Sequence, residues 1–342
     1  GEPLAKALLD RARAAFDVGE TASAAAAAEA ALLVAQRLGL GAIEVSARIR
    51  LAIVADQRGA FGAGLAQLEQ AEALTRRDGD RQRLASVLNN QAILNRRLGE
   101  YDRALELYRQ SLEISAALGH QAGTATPLNN MGVLLYNRGD FRGALEHYAR
   151  ALALLPPGDD LVADTLLNIG LVHHSQGDLE LAESYIRRSL AVSHELGVVN
   201  DLADSYLRLG EVLLAQGRRE EALQELARAE QEATRLDDPL TLAELELLRG
   251  DVALQAGRTA EALELGVLAL QRVRAVGAVE NVGQALSRLA RARLAAGQPE
   301  EARAAAAEAA GLLSELHNLE PVSYTHLRAH ETVLDLVCRL LL

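Results

Sequence analysis

The sequence predicts an all-α protein, a solenoid of eight helix-turn-helix units, from three observations. A glycine returns at Gly19, Gly59, Gly99, Gly139, Gly177, Gly217, Gly257 and Gly297, with steps of 40 residues in six of seven intervals and 38 in the other. Seven residues before each stands a small residue (Ala12, Ala52, Ala92, Gly132, Gly170, Gly210, Gly250, Ala290), and five after each stands another (Ala24, Gly64, Ala104, Ala144, Ala182, Ala222, Ala262, Ala302). Three columns in register do not arise from an alanine-rich composition alone, and a fixed period of this kind belongs to helical arrays. The hydrophobic share is 49% but the aromatic share only 3%, so the core is built from Leu, Ala and Val, as closely packed helix pairs allow.

The most complete copy runs from Leu128 to Pro157. Gly139-Asp140 separates its two amphipathic helices: the glycine suits a left-handed turn position and the acid suits the next helix's positive end. Gly132 and Ala144 stand where the helices must touch, Phe141 and Tyr148 fill the space around them, and Pro156-Pro157 stops the second helix.

In chain order, the first copy pairs a helix from about Pro3 to Val18 with the alanine run Ala22 to Ala31, a strong helix former but a poor space filler, so this end is expected to be the looser. The second follows over Ile43 to Gln57 and Gly62 to Arg77, with Phe61 in the slot held by Tyr101 and Phe141 in the next two. The third and fourth open with twin asparagines, Asn89-Asn90 and Asn129-Asn130, and the fifth continues the column at Asn168. The sixth puts Arg208 there. In the seventh and eighth, Gly266 replaces the residue equivalent to Tyr148 and Pro299 that of Phe141.

These columns resemble the tetratricopeptide repeat (TPR) over residues 1–320, in a 40-residue variant longer than the family's usual ~34, with helices ending in Leu38-Gly39, Leu118-Gly119 and Leu196-Gly197. The resemblance implies a right-handed α-solenoid whose first helices line a concave face that takes peptides or extended partner segments. On it the lining positions include Asn89, Asn90, Arg97, Asn129, Asn130, Tyr136, Asn137, Asn168 and His174. An amide offers both a donor and an acceptor to the backbone of an extended ligand, Tyr136 and His174 add flat contact area, and Arg97 suits a carboxylate. Asn90, Asn130 and Asn168 fit a packing role between repeats as well, which leaves Asn89 and Asn129 as the expected ligand contacts. The recurring Phe61, Tyr101, Phe141 and Tyr108, Tyr148 read as core.

A net charge of −12 with no basic block argues against nucleic acid, because phosphate binding needs clustered positive charge. Lys6 is the single lysine among 35 basic residues, as a GC-rich bacterial genome would encode. No run approaches the ~18 to 20 apolar residues of a membrane helix, and a soluble, cytoplasmic module is expected. A lone cysteine, Cys338, excludes an intrachain disulfide and a cysteine metal cluster. His173-His174 are neighbours about 100° apart on a helix and do not face one ion, so no metal or cofactor is expected. Asp159-Asp160 and Asp237-Asp238 flank turns and read as caps. No phosphate loop, Gly-x-Ser-x-Gly elbow or His-Glu-x-x-His occurs, so no catalytic residue is expected.

Residues from about Val322 to Leu342, with His326 and His330, break the Ala/Arg/Gly bias and resemble a translated sequencing-library adapter. The span 321–342 is therefore expected to be non-native. The expected function is a protein-interaction or ligand-sensing module, similar to the sensor regions of MalT-like and other large bacterial regulators and part of a longer protein, with worn terminal repeats open to self-association. A free-standing scaffold, or an accessory region beside a peptidase or cyclase domain, is the alternative.

Overall fold

The computed structural model describes residues 1–17, 20–156, 158–197, 202–276 and 279–317. Among them are sixteen α-helices in eight consecutive pairs, and no strand. The first helices are α1 (Glu2–Asp17), α3 (Gly41–Gln57), α5 (Arg81–Arg97), α7 (Gln121–Asn137), α9 (Leu161–Gln176), α11 (Leu202–Ala215), α13 (Pro239–Gln255) and α15 (Val279–Ala295). The second helices are α2 (Thr21–Leu38), α4 (Phe61–Asp78), α6 (Tyr101–Ala117), α8 (Phe141–Leu154), α10 (Leu179–Leu196), α12 (Arg219–Arg235), α14 (Thr259–Val276) and α16 (Pro299–His317). The all-α helix-pair solenoid is as expected. Gly19 and the tail with His326, His330 and Cys338 lie outside the described residues. No helix among the described residues is long and apolar enough to cross a membrane.

The turn column works through backbone conformation. Gly59, Gly99, Gly139, Gly177, Gly217, Gly257 and Gly297 all have φ between +68° and +86°, the left-handed region that a side chain disfavours. A second column closes the other end of the pairs, with Gly39, Gly79, Gly119 and Gly197 at φ +66° to +69° and Asp237 in the same role at +50°. Asp238 then caps α13, its carboxylate accepting from the Leu240 and Thr241 amides at 3.1 Å, and Asp160 accepts from the Leu161 amide at 2.9 Å.

The packing divides the chain into two compact units, Gly1–Leu135 with Arg142–Leu161, and Tyr136–Phe141 with Val162–Leu342. In the first, a Cβ on Gly64 would sit 3.3 Å from the Ala52 carbonyl, and one on Gly132 would meet the Tyr148 ring at 2.5 Å. The two small-residue columns therefore mark where paired backbones touch. Tyr108 and Tyr148 are fully buried, with Leu84, Leu88, Leu107, Met131 and Leu134 around Tyr108. In the first repeat, by contrast, every buried residue of α2 is alanine.

In the second unit, Cβ atoms on Gly170 and Gly210 would lie 3.3 and 3.5 Å from the carbonyls of Ala182 and Ala222. Ile186 and Leu226 fill the slot of Tyr148, and at Gly266 the space is taken by Leu289. A buried hydroxyl stitches equivalent pairs in both units: Ser111 Oγ donates to the Ala85 carbonyl and Ser189 Oγ to that of Ala163, each at 2.8 Å.

Helix α7 departs from expectation. It begins at Gln121 rather than near Leu128, so Pro127 is buried in its second turn. Local side-chain bonds support this start: the Gly123 amide donates to His120 Nδ1 at 2.7 Å and Thr124 Oγ1 to the His120 carbonyl at 2.8 Å. Proline removes one i to i−4 bond, a loss that the packing of Leu128 and Ala125 on Ala151 offsets.

Candidate peptide-binding face

On α5, Ser86, Asn90, Ile93 and Arg97 are spaced i, i+4, i+7 and i+11 and so share one face. The same register gives Thr126, Asn130 and Val133 on α7, and Ser46, Arg50 and Ile53 on α3. In the first unit this places half-buried Ile53, Ile93 and Val133 in one row and Asn90 and Asn130 in the row beside it. The aliphatic row was not singled out from the sequence, although its 40-residue recurrence is the same signal that marked the asparagines.

Asn89 and Asn129, expected to meet the ligand, are 8% and 5% exposed. One residue is about 100° of helical rotation, and that rotation turns them inward. Asn130 Nδ2 donates to Asn89 Oδ1 at 3.1 Å, tying α7 to α5, and Asn90 Nδ2 donates to the Ser86 carbonyl at 2.8 Å. Neither Asn90 Oδ1 nor Asn130 Oδ1 has a partner among the described residues. The open acceptors therefore belong to the pair expected to pack. Arg97 is half exposed, its Nε 3.3 Å from Asp56 Oδ1. Behind it, burial pushes the Tyr108 hydroxyl up, with Arg96 pulling the other way.

In the second unit, Tyr136 OH lies 3.0 Å from Ser175 Oγ and its ring 5.9 Å from that of Phe141. Asn137, Asn168 and His174 are half-buried. His173 stacks on Tyr185 with centroids 5.5 Å apart, which occupies it away from His174. Among the described residues no three His, Cys, Asp or Glu side chains gather as a metal site would need.

Further along this unit the face turns ionic. Arg208 donates to Asp204 at 2.9 Å, Glu211 at 3.1 Å and Glu244 at 2.6 Å, and Arg291 and Arg288 pair with Asp251 at 2.6 and 3.1 Å. Burial works against the charge on Arg208, but Asp204, Glu244 and Glu211 overcome it and lift its pKa well above the usual value. Burial also raises Glu244, and Asp204 and Glu211 add to the rise against Arg208. One guanidinium does not compensate three carboxylates. Below, a cavity lined by Leu247, Gly250, Leu254 and Ala262 has about 10 Å³, room for a single water.

The tetratricopeptide repeat family matches residues 83–156 and 161–231, and again 283–308. The chain is a tetratricopeptide repeat protein. Asn90, Asn130, Asn168 and Arg208 fall in the longer matched spans of this TPR protein, and Arg288 and Arg291 in the last. None of the curated proteins matches it in sequence. Among solved structures, BtubC (BKLC) from P. vanneervenii is 26% identical with a TM-score of 0.51, over 63% of this chain and 91% of that one. A Rap protein complexed with competence and sporulation factor is 15% identical, with a TM-score of 0.67 over 94% of this chain and 100% of that one. Aspartyl phosphate phosphatase F from Bacillus subtilis is 17% identical, with a TM-score of 0.63 over 84% and 75%. These last two likenesses show that the TPR protein shares their fold.

Proposed function

We propose that this TPR protein is an interaction module that holds an extended partner segment along its first helices, acting by binding rather than by catalysis. The observation that carries this reading is the row of side-chain amides at Asn90 and Asn130, each held by a bond within the chain and each presenting a carbonyl oxygen that is unpartnered among the described residues. An acceptor fixed in place takes a backbone N–H of an extended ligand at little further entropic cost. The fold likeness to the Rap complex supports a ligand-sensing role, and the resemblance to MalT-like regulators supports a place in a larger signalling protein. A free scaffold uses the same face and differs only in what it is joined to.

Display-selected peptides test the reading. Asn90→Ala is expected to weaken their binding by about tenfold, since one hydrogen bond is worth ~1 kcal/mol and its loss strands the ligand's N–H. Its melting temperature should match that of the unaltered chain. Unchanged affinity for every selected peptide would refute the reading.

A further inference from the structure

The charge of this TPR protein is distributed unevenly over its first helices. Acids make up 47 of 342 residues, so α5 and α7 together, at average composition, would hold about five in their 34 positions. They hold none. Helix α5 carries Arg81, Arg83, Arg96 and Arg97, and α7 carries no charged residue at all. On the open face of these two helices in the first unit lie Asn90, Asn130, Ile93, Val133 and the half-exposed Arg97. Among the described residues Arg97, at the end of α5, has Asp56 as its one acidic partner.

We propose that the segment held on the α5–α7 face of the first unit is acidic and apolar: its backbone N–H groups meet Asn90 and Asn130, aliphatic side chains sit on Ile93 and Val133, and a carboxylate takes Arg97 in place of Asp56. This rests on the peptide-binding reading above and adds the chemistry of the occupant. Desolvating a ligand carboxylate beside a resident one is unfavourable, and α5 and α7 bring no acid of their own to this face; Asp56, on α3, is the carboxylate the ligand displaces from Arg97. The overall charge of −12 repels an acidic ligand, but at physiological salt that repulsion is screened beyond about 8 Å, so the local composition decides. The Arg97–Asp56 pair is easily exchanged: at 3.3 Å and half exposed it is a weak surface ion pair, and a ligand carboxylate reaching the guanidinium bidentately forms the better contact.

The test uses the full chain and labelled synthetic peptides read by fluorescence anisotropy: one alternating Glu with Leu or Val, its Lys-for-Glu counterpart, and a Glu peptide with Ser replacing the aliphatics. The first is expected to bind about tenfold tighter than either of the others. Arg97→Gln should erase its advantage over the Lys peptide and Arg97→Glu reverse it, both with unchanged melting temperature because Arg97 lies at the surface. If the Lys peptide binds as well as the Glu peptide while Asn90→Ala weakens both, the acidic assignment fails and the peptide-binding reading stands. If the peptides bind and Asn90→Ala changes neither affinity, that reading fails and takes this inference with it. Failure of every peptide to bind at about 1 mM, some 4 kcal/mol of affinity, also overturns the assignment.

Discussion

Arg208 shows how far a single residue in a repeat column can redirect a face. Where Asn90 and Asn130 present amides, Arg208 gathers Asp204, Glu211 and Glu244, and its removal leaves three carboxylates with no cation. Arg208→Gln is expected to destabilise the second unit by about 2 kcal/mol at neutral pH, less than a fully buried pair because these groups stay partly exposed. The sign with pH follows from Glu244. Its folded pKa is raised by burial, so its contribution favours the fold at low pH and is lost as pH rises through that value. Without Arg208 the rise is larger, so the deficit of the variant should shrink on acidification into the carboxylate range. Glu183 and Glu230 behave oppositely. For Glu183, bonds from Arg187, Gln216 and Arg218 outweigh burial, and for Glu230 the bond from Arg249 leads; both pKa values are lowered. Their contribution is present at neutral pH and lost as pH falls. Urea titrations of both proteins at neutral and acid pH check this, and a deficit that grows on acidification would be the wrong sign.

Within the elements, the small-residue columns separate two kinds of glycine. At Gly132 an added Cβ would lie 2.5 Å from the Tyr148 ring, whereas at Gly250 the nearest atom is 3.6 Å away. Gly132→Ala is therefore expected to cost about 1–3 kcal/mol through overpacking, while Gly250→Ala should stabilise by up to ~1 kcal/mol through helix propensity. Chemical denaturation distinguishes them, and equal effects would show that the columns do not mark close approach. Asp237 sits at φ +50° where equivalent turns use glycine. Asp237→Gly should raise stability by about 1 kcal/mol by relieving the left-handed strain, read as a higher melting temperature. Element existence was legible from the sequence, but the start of α7 was not. The sequence marks the copy from Leu128, but the helix starts at Gln121, and the packing of Ala125 and Leu128 on Ala151 carries it through Pro127.

For the molecule as a whole, stability in an array is a sum over neighbouring repeats, so repeats with thin cores open first. The second helix of the first repeat buries six alanines, whereas the third repeat buries Tyr101, Leu107 and Tyr108. Burying a methyl contributes far less than burying an aromatic ring. Hydrogen exchange followed by mass spectrometry should show α1 and α2 exchanging well before α5 and α6. Equal protection would mean that the alanine contacts hold as firmly as the aromatic ones.

Three columns of residue types, by themselves, determined the helix pairs, their turns and the points where paired backbones touch. Each is a local demand repeated in every copy: a left-handed turn needs glycine, and close approach needs a small side chain wherever it occurs. The face exposed to a partner was only half legible. The sequence marked the asparagine pairs, but which member of each pair looks outward depends on the rotation of each helix about its axis. Contacts with both neighbours set that rotation, and only the tertiary structure showed Asn89 and Asn129 turned inward beneath Asn90 and Asn130. Likewise Glu244, 36 residues from Arg208, becomes its partner because adjacent repeats lay their first helices side by side.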